Sequence, residues 1–517
     1  MIIYTRLILL LGLEARILEK LFYKLIYDKR LKRSMSILEL LNKAKHHVTI
    51  KELGEEFKIS KKTVLTSLEY AATLLPPTLI LVTSERGIQL QNKGNQSVEV
   101  AITDIAKKTL SYQILEHAFF NVALNINDLA EKVFVSESTI RIRIKHINKT
   151  LSLFGLKLSH YSVTMTGDEA NIRFFYYTYF SEFQELYAAV CDERLHYCNA
   201  IYNNLITEIS KSDYKSLNYS YQQVARWLLV TRERMKLGKF VEIKSDLIMR
   251  IEKRASYPVF KSVYEKEISQ HIDGYRVSED EIVWAYIVAF NTVIYMENQK
   301  DNVLFHREKD NTSQIKKIRK ILVKMLDIIP VQNTDKEEFV NVHTAYLVNM
   351  SLLTELSPVF QLGNPDTINF VLANNKSLYS VWYNCLSKLA NDDLFEITDI
   401  HSISVQLAMV TTQFCTKPTR PAEKVIFSFE GEPGVAVYLE SMAKTMLPAG
   451  VEAVFIYDEP ITADLVEKYD SDLLVHNYEL PEIINGCKRL RLSLLPQIKE
   501  WAYLRELLID LDKDASF

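Results

Sequence analysis

The chain has 517 residues, 48% of them hydrophobic, with only 13 Gly and 13 Pro; that length exceeds a single hydrophobic core, so roughly four or five domains, mainly helical, are expected. Its five cysteines, Cys191, Cys198, Cys385, Cys415 and Cys487, form no CxxC pair and no metal-ligand spacing, which argues against a disulfide framework or a zinc site and fits a reducing cytoplasm. The net charge of −3 by itself argues against a polyanionic partner, but residues 1–175 carry 25 Lys+Arg against 17 Asp+Glu and residues 421–517 carry 9 against 18, so a polyanion would meet the N-terminal third.

Residues 1–34 read as a helical segment. The apolar run Ile2–Leu13 is interrupted by Arg6 and is too short to span a bilayer. It reads as one face of a helix continuing through Leu18, Leu21, Phe22 and Leu25, with Met35 an alternative start of translation.

Residues 35–95 and 105–171 carry an internal repeat at an offset of 76. "VTIKELGEEFKISKKTVLTSLEYAATLL" from Val48 lies over "LNINDLAEKVFVSESTIRIRIKHINKTL" from Leu124. In each copy Thr49 or Asn125 can cap a short helix, a small residue (Gly54 or Ala130) admits a second helix, and Ser60 or Ser136 can cap that second helix. The second helix repeats apolar residues at i, i+4, i+7 and i+11: Val64, Leu68, Ala71 and Leu75, then Ile140, Ile144, Ile147 and Leu151. An apolar helix precedes each copy, "SILELLNKA" and "TLSYQILEHAFF", and a strand, turn and strand follow, "LILVTSERGIQLQ" and "LKLSHYSVTMTGDEANI". This is the plan of two winged helix-turn-helix units in tandem, whose second helix enters a DNA major groove. The free face of the first recognition helix carries Lys61, Lys62, Thr66 and Glu69; that of the second carries Ser138, Arg141, Arg143, Lys145, His146 and Lys149. Arg and Lys supply salt-dependent phosphate contacts, so the second unit is expected to contribute more binding free energy.

Residues 172–297 and 312–416 show helical periodicity, with about five segments in each half, separated by the polar stretch 298–314. Residues 423–517 alternate strand and helix through "VIFSFEG", "VEAVFIY" and "DLLVHNY", as a small parallel α/β domain does. No lysine or arginine sits at the strand ends "FEGEPG" and "YDEP", so no phosphate cradle is expected there. The closing helix "LPQIKEWAYLRELLIDL" is amphipathic and suits packing at home or on a partner subunit.

With these elements in order, the chain resembles the Mga/AtxA family of transcription regulators of Gram-positive bacteria over nearly its whole length, most specifically through "ISKKTVLTSLEYAATLL" and "VSESTIRIRIKHINKTL". The resemblance implies a mainly α multidomain fold: tandem winged helix-turn-helix units, two all-helical regulation domains of the phosphotransferase system, and a C-terminal EIIB-like α/β domain that promotes dimers. It implies a global or virulence-type activator that binds double-stranded DNA as a homodimer or higher oligomer, with RNA polymerase as a further partner. It also implies phosphorylation of regulation-domain histidines by the phosphocarrier protein, a step that would add nearly two negative charges and reorder a dimer contact. The chain departs from the antiterminator type of regulation domain, because "SEDEIVWAYIVAF" has Val288 where a histidine is sought. The remaining candidates are His196, His271 and His343, with His401 weaker. An EIIB domain that transfers phosphate needs a cysteine where this chain reads Phe429, Glu430 and Gly431, so thiol phosphoryl transfer is not expected.

Three other readings compete. An enzyme would need a nucleophile with its base, a metal cluster or a glycine-rich loop, and none stands out; no catalytic residue, metal or cofactor is expected. An RNA-binding antiterminator also carries paired regulation domains but begins with a small β-rich domain. A scaffold that has lost DNA binding would be indifferent to Arg141, Arg143 and Lys145.

Overall fold

The computed structural model describes residues 19–44, 46–94, 97–120, 125–183, 192–211, 219–254, 256–271, 277–294, 313–329, 331, 335–389, 396–415, 421–447, 450–471, 473–480, 484 and 487–514. They fall into two compact units. One holds residues 19–168 with 178–183; the other holds residues 169–177 and the chain from 192 onward.

In the first unit the chain opens with α1 (Leu21–Leu25) and α2 (Lys29–Lys43). The first of these helices ends at Leu25, because Ile26 is extended and Asp28 starts a new helix by accepting the Arg30 and Leu31 amides. The 34/35 boundary therefore falls inside α2, and Met35 is fully buried. Residues 1–18 of the expected N-terminal helix, and the 298–312 part of the polar linker, lie outside the described residues.

The two copies of the repeat fold alike. In the first, Thr49 and Glu52 form a reciprocal cap on α3 (Ile50–Glu56), and Ser60 caps α4 (Lys61–Leu74). In the second, Asn125 caps α7 (Ile126–Lys132) and Ser136 caps α8 (Glu137–Leu151). Between the copies lie two helices where one was expected, α5 (Val98–Lys107) and α6 (Leu110–Phe120), with Thr109 accepting the Tyr112 amide at the break. Each turn between paired helices holds a left-handed residue at the same register, Lys58 (φ 52°) and Phe134 (φ 54°). Val64, Leu68, Ala71, Ile140, Ile144, Ile147 and Leu151 are buried as the periodicity required, while Leu75, which follows the last residue of α4, is half-buried. Hairpin β1 (Leu79–Ser84) and β2 (Gly87–Asn92) follows the first copy; the second has a shorter one, β3 (Lys157–Leu158) and β4 (Met165–Thr166). Gly87 (φ +126°) allows the Val48 backbone to bridge to Ile88, since a Cβ at Gly87 would come within 2.8 Å of the Val48 carbonyl oxygen.

In the second unit, the helices are α9 (Glu169–Phe183, of which residues 169–177 belong here), α10 (Asp192–Lys211), α11 (Tyr221–Lys236), α12 (Ser245–Glu252), α13 (Tyr257–His271) and α14 (Glu279–Ala289). Arg173, fully buried, bonds both Glu281 oxygens (2.7 and 2.8 Å) and the Lys239 carbonyl, while Glu169 takes Arg173 and Arg234. A buried charge survives only when paired in this way. A second helical set follows: α15 (Ser313–Met325), α16 (Lys336–Leu356), α17 (Pro365–Asn374), α18 (Lys376–Leu389) and α19 (Ile400–Thr412).

The chain then forms β5 (Pro421–Ser428), α20 (Pro433–Met446), β6 (Gly450–Phe455), α21 (Ala463–Tyr469), β7 (Leu473–His476), β8 (Lys488–Arg491) and α22 (Ile498–Asp514). The sheet is parallel, in the order β6-β5-β7-β8. β8 was not expected, because "KRLR" has the charged composition of a sheet edge and not of a core strand.

Candidate nucleic-acid interface

Along α8, Ser138, Arg141, Ile142, Lys145 and Lys149 are exposed and follow one another at i, i+3, i+4, i+7 and i+11, one stripe of the helix. The wing is fastened to this helix. Asn148 accepts the Leu158 amide (2.6 Å) and donates to the Leu158 carbonyl (2.9 Å), and Arg141 donates to the His160 carbonyl (2.7 Å). Gly167 (φ +139°) leaves room for Leu156, which a Cβ would meet at 2.5 Å. The wing thus moves with α8 and carries Tyr161, 84% exposed, at its tip.

Two of the residues expected on the free face, Arg143 and His146, are half-buried. The Arg143 guanidinium sits 3.9 Å from the centre of the Tyr27 ring, and His146 meets the same ring edge-on at 5.4 Å. Both are half-buried, because α1 and the segment before Asp28 pack along that flank of α8. Burial pushes the His146 pKa below its usual range, with the Lys24 and Ile26 backbone pulling it partly back, and burial likewise lowers that of Arg143. The corrected stripe is Ser138, Arg141, Ile142, Lys145 and Lys149. Sequence reasoning passed over Ile142 because an apolar residue carries no charge signal.

On α4, Lys61, Lys62, Thr66 and Glu69 are exposed as expected, together with Leu65. Arg30 reaches this helix from α2, donating to the Thr66 carbonyl (3.2 Å) and lying over Tyr70. The first stripe therefore carries one acid and two lysines; the second carries three cations, of which Arg141 pairs with Glu137 (3.5 Å) at the helix start.

The histidines separate sharply. His343 is 0% exposed and stacked on Trp382; its Nδ1 meets the Phe339 carbonyl (2.8 Å) and its Nε2 the Thr411 hydroxyl (2.9 Å). Burial pulls its pKa down to about 4. The expectation that His343 accepts a phosphoryl group is at odds with this placement, since neither ring nitrogen is open to a donor. His401 is half-buried, with Nδ1 on the Tyr379 hydroxyl. His196 lies within α10 and His271 ends α13; their side chains are outside the described residues.

In the α/β region, Glu430 at the end of β5 forms a buried ion pair with Arg226 of α11, and the Asn477 side chain holds the Glu430 backbone. Among the described residues no group of three His, Cys, Asp or Glu is placed to hold a metal ion, and no helix is long and apolar enough to cross a membrane.

The family described as the Mga helix-turn-helix domain matches residues 94–180, which contain α7, α8 and the second wing. A protein described as a trans-acting regulator of Streptococcus pneumoniae serotype 4 is 22% identical over 90% of this chain and 94% of its own. The anthrax toxin expression trans-acting positive regulator of Bacillus anthracis is 20% identical over 92% of this chain and 98% of its own. The capsule synthesis positive regulator AcpA of the same organism is 21% identical over 66% and 71%. The domain match and these relatives support the Mga/AtxA family of regulators. The domain match falls on the copy of the repeat with the denser basic stripe.

Proposed function

We propose that this chain is a DNA-binding transcription regulator whose principal duplex contact is α8 with its wing, and whose second contact is α4. The observation that carries the reading is the stripe of Arg141, Lys145 and Lys149 on a capped helix to which a hairpin is bonded at three points. Cations on such a face neutralise phosphates and release counterions, and the hydroxyl of Ser138 near the helix start stands where base edges are read. Lys61, Lys62 and Thr66 serve the weaker first site. Arg143 and His146 act from behind, by setting the position of α8.

The helical regions 172–297 and 312–416 are, in this reading, regulation domains of the phosphotransferase system, with His196 or His271 as phosphoryl acceptor from the phosphocarrier protein. The parallel sheet supports an EIIB-like tail, with Glu430 and its neighbours where a phosphorylated cysteine would stand. Such a tail would serve as a dimer contact and not as a phosphoryl carrier. The Bacillus anthracis relatives are positive regulators, which favours activation, with RNA polymerase as partner, in the cytoplasm.

The test is a mobility-shift titration of the full chain at low ionic strength, with a duplex DNA and a structured RNA of matched length. Preferential retardation of the duplex, lost in Lys145→Ala/Lys149→Ala, is expected. Preference for the RNA would favour an antiterminator instead, and no retardation of either would leave a scaffold.

A further inference from the structure

The basic stripe on α8 has an isoleucine at its centre. Ile142 is 52% exposed, one residue after Arg141 and three before Lys145, with Ser138 one turn towards the helix start and Lys149 two turns beyond. A single exposed apolar side chain is ordinary; its place is what carries meaning here. A helix face bearing three cations is complementary to a polyanion, and on the major-groove edges of base pairs the apolar group is the C5-methyl of thymine. The first copy has Thr66 at the same register, 76 residues earlier. Its hydroxyl is engaged with the Thr63 carbonyl of its own helix (3.1 Å). Both recognition helices therefore place a β-branched, methyl-bearing side chain at this register. Such side chains are stiff at χ1, so they present a methyl group with little rotamer entropy to lose.

We propose that Ile142 is a specificity-determining residue that reads the C5-methyl of thymine in the major groove. Arg141, Lys145 and Lys149 hold the flanking phosphates, and the Thr66 methyl takes the role of Ile142 more weakly at the first site. The proposal rests on the DNA-binding reading above and adds to it a chemical class of base contact.

The experiment begins by selecting duplex sites for the full chain from a random pool, then resynthesising the best site with deoxyuridine replacing thymidine one position at a time. That exchange keeps base pairing and removes one methyl group. At one or more positions wild type should lose about fourfold in affinity, the worth of one methyl group withdrawn from water. Ile142→Ala should bind the parent site more weakly by a similar factor and be indifferent to the same exchange. Because Ile142 is exposed, its removal should leave the melting temperature unchanged. The proposal is overturned if every single-uracil site binds wild type as tightly as its parent, or if Ile142→Ala keeps the full uracil penalty. Retention of duplexes without enrichment of any sequence would likewise overturn the proposal, whereas retention of no duplex from the pool would overturn the DNA-binding reading itself.

Discussion

Arg143 lies on the face of Tyr27, its guanidinium carbon 3.9 Å from the ring centre. This contact makes one basic residue of α8 a packing residue while Lys145, two positions on, stays exposed. The two should therefore fail differently. Arg143→Ala or Tyr27→Ala is expected to lower stability by about 1 kcal/mol through the lost cation–π contact and packing, seen as a shift in chemical denaturation. Lys145→Ala should leave stability unchanged and weaken duplex binding evenly across sequences. Equal melting curves for Arg143→Ala and Lys145→Ala would refute the distinction.

The wing offers a test that removes no charge. Asn148 makes two hydrogen bonds to Leu158, one as donor and one as acceptor, and Asn148→Ala should cost about 1–3 kcal/mol and loosen the wing. DNA affinity is expected to fall while its dependence on salt stays that of wild type. A changed salt slope would mean that Asn148 acts by some route other than positioning.

Phe134 is 93% exposed and left-handed, a conformation that costs most residues about 1 kcal/mol and asparagine less. Phe134→Asn should therefore raise stability by roughly 0.5–1 kcal/mol, measured by thermal melting. A loss of stability would show that the ring makes a contact the chain needs.

Glu432 supplies a pH test. The residue is half-buried just before α20 but its carboxylate is enclosed, with Oε1 accepting the Asn364 amide (2.9 Å) and Oε2 without a hydrogen-bond partner among the described residues; burial raises its pKa to about 7. Between the unfolded value near 4.5 and 7, the folded chain holds a proton that the unfolded chain has released. Stability from this group therefore falls as pH rises through that window. Glu432→Gln should remove the penalty and be more stable than wild type at pH 8 by on the order of 3 kcal/mol, with little gain at pH 4.5. Parallel melting curves at both pH values would contradict this.

Much of the architecture was legible because the repeat states it twice. Thr49 with Asn125 and Ser60 with Ser136 cap equivalent helices, and the apolar positions of both second helices are buried as their spacing required, except Leu75, which is half-buried. What stayed hidden depends on contacts between segments distant in sequence. Nothing local says that Tyr27 will cover Arg143 and His146, or that His343 will be enclosed by Phe339, Trp382 and Thr411. Periodicity names an inner face but not which later segment packs over the outer one. Ile142 was legible from spacing, one turn from Ser138 and from Lys145, but an apolar residue carries no charge signal and was passed over.

The most direct measurement is the salt dependence of duplex DNA affinity for wild type and for Lys145→Ala/Lys149→Ala. Each phosphate contact contributes about 0.9 to the slope of log affinity against log salt, so the double variant should bind more weakly with a slope shallower by about 2. Identical slopes, or no attraction of the wild-type chain to duplex DNA at low ionic strength, would contradict the account.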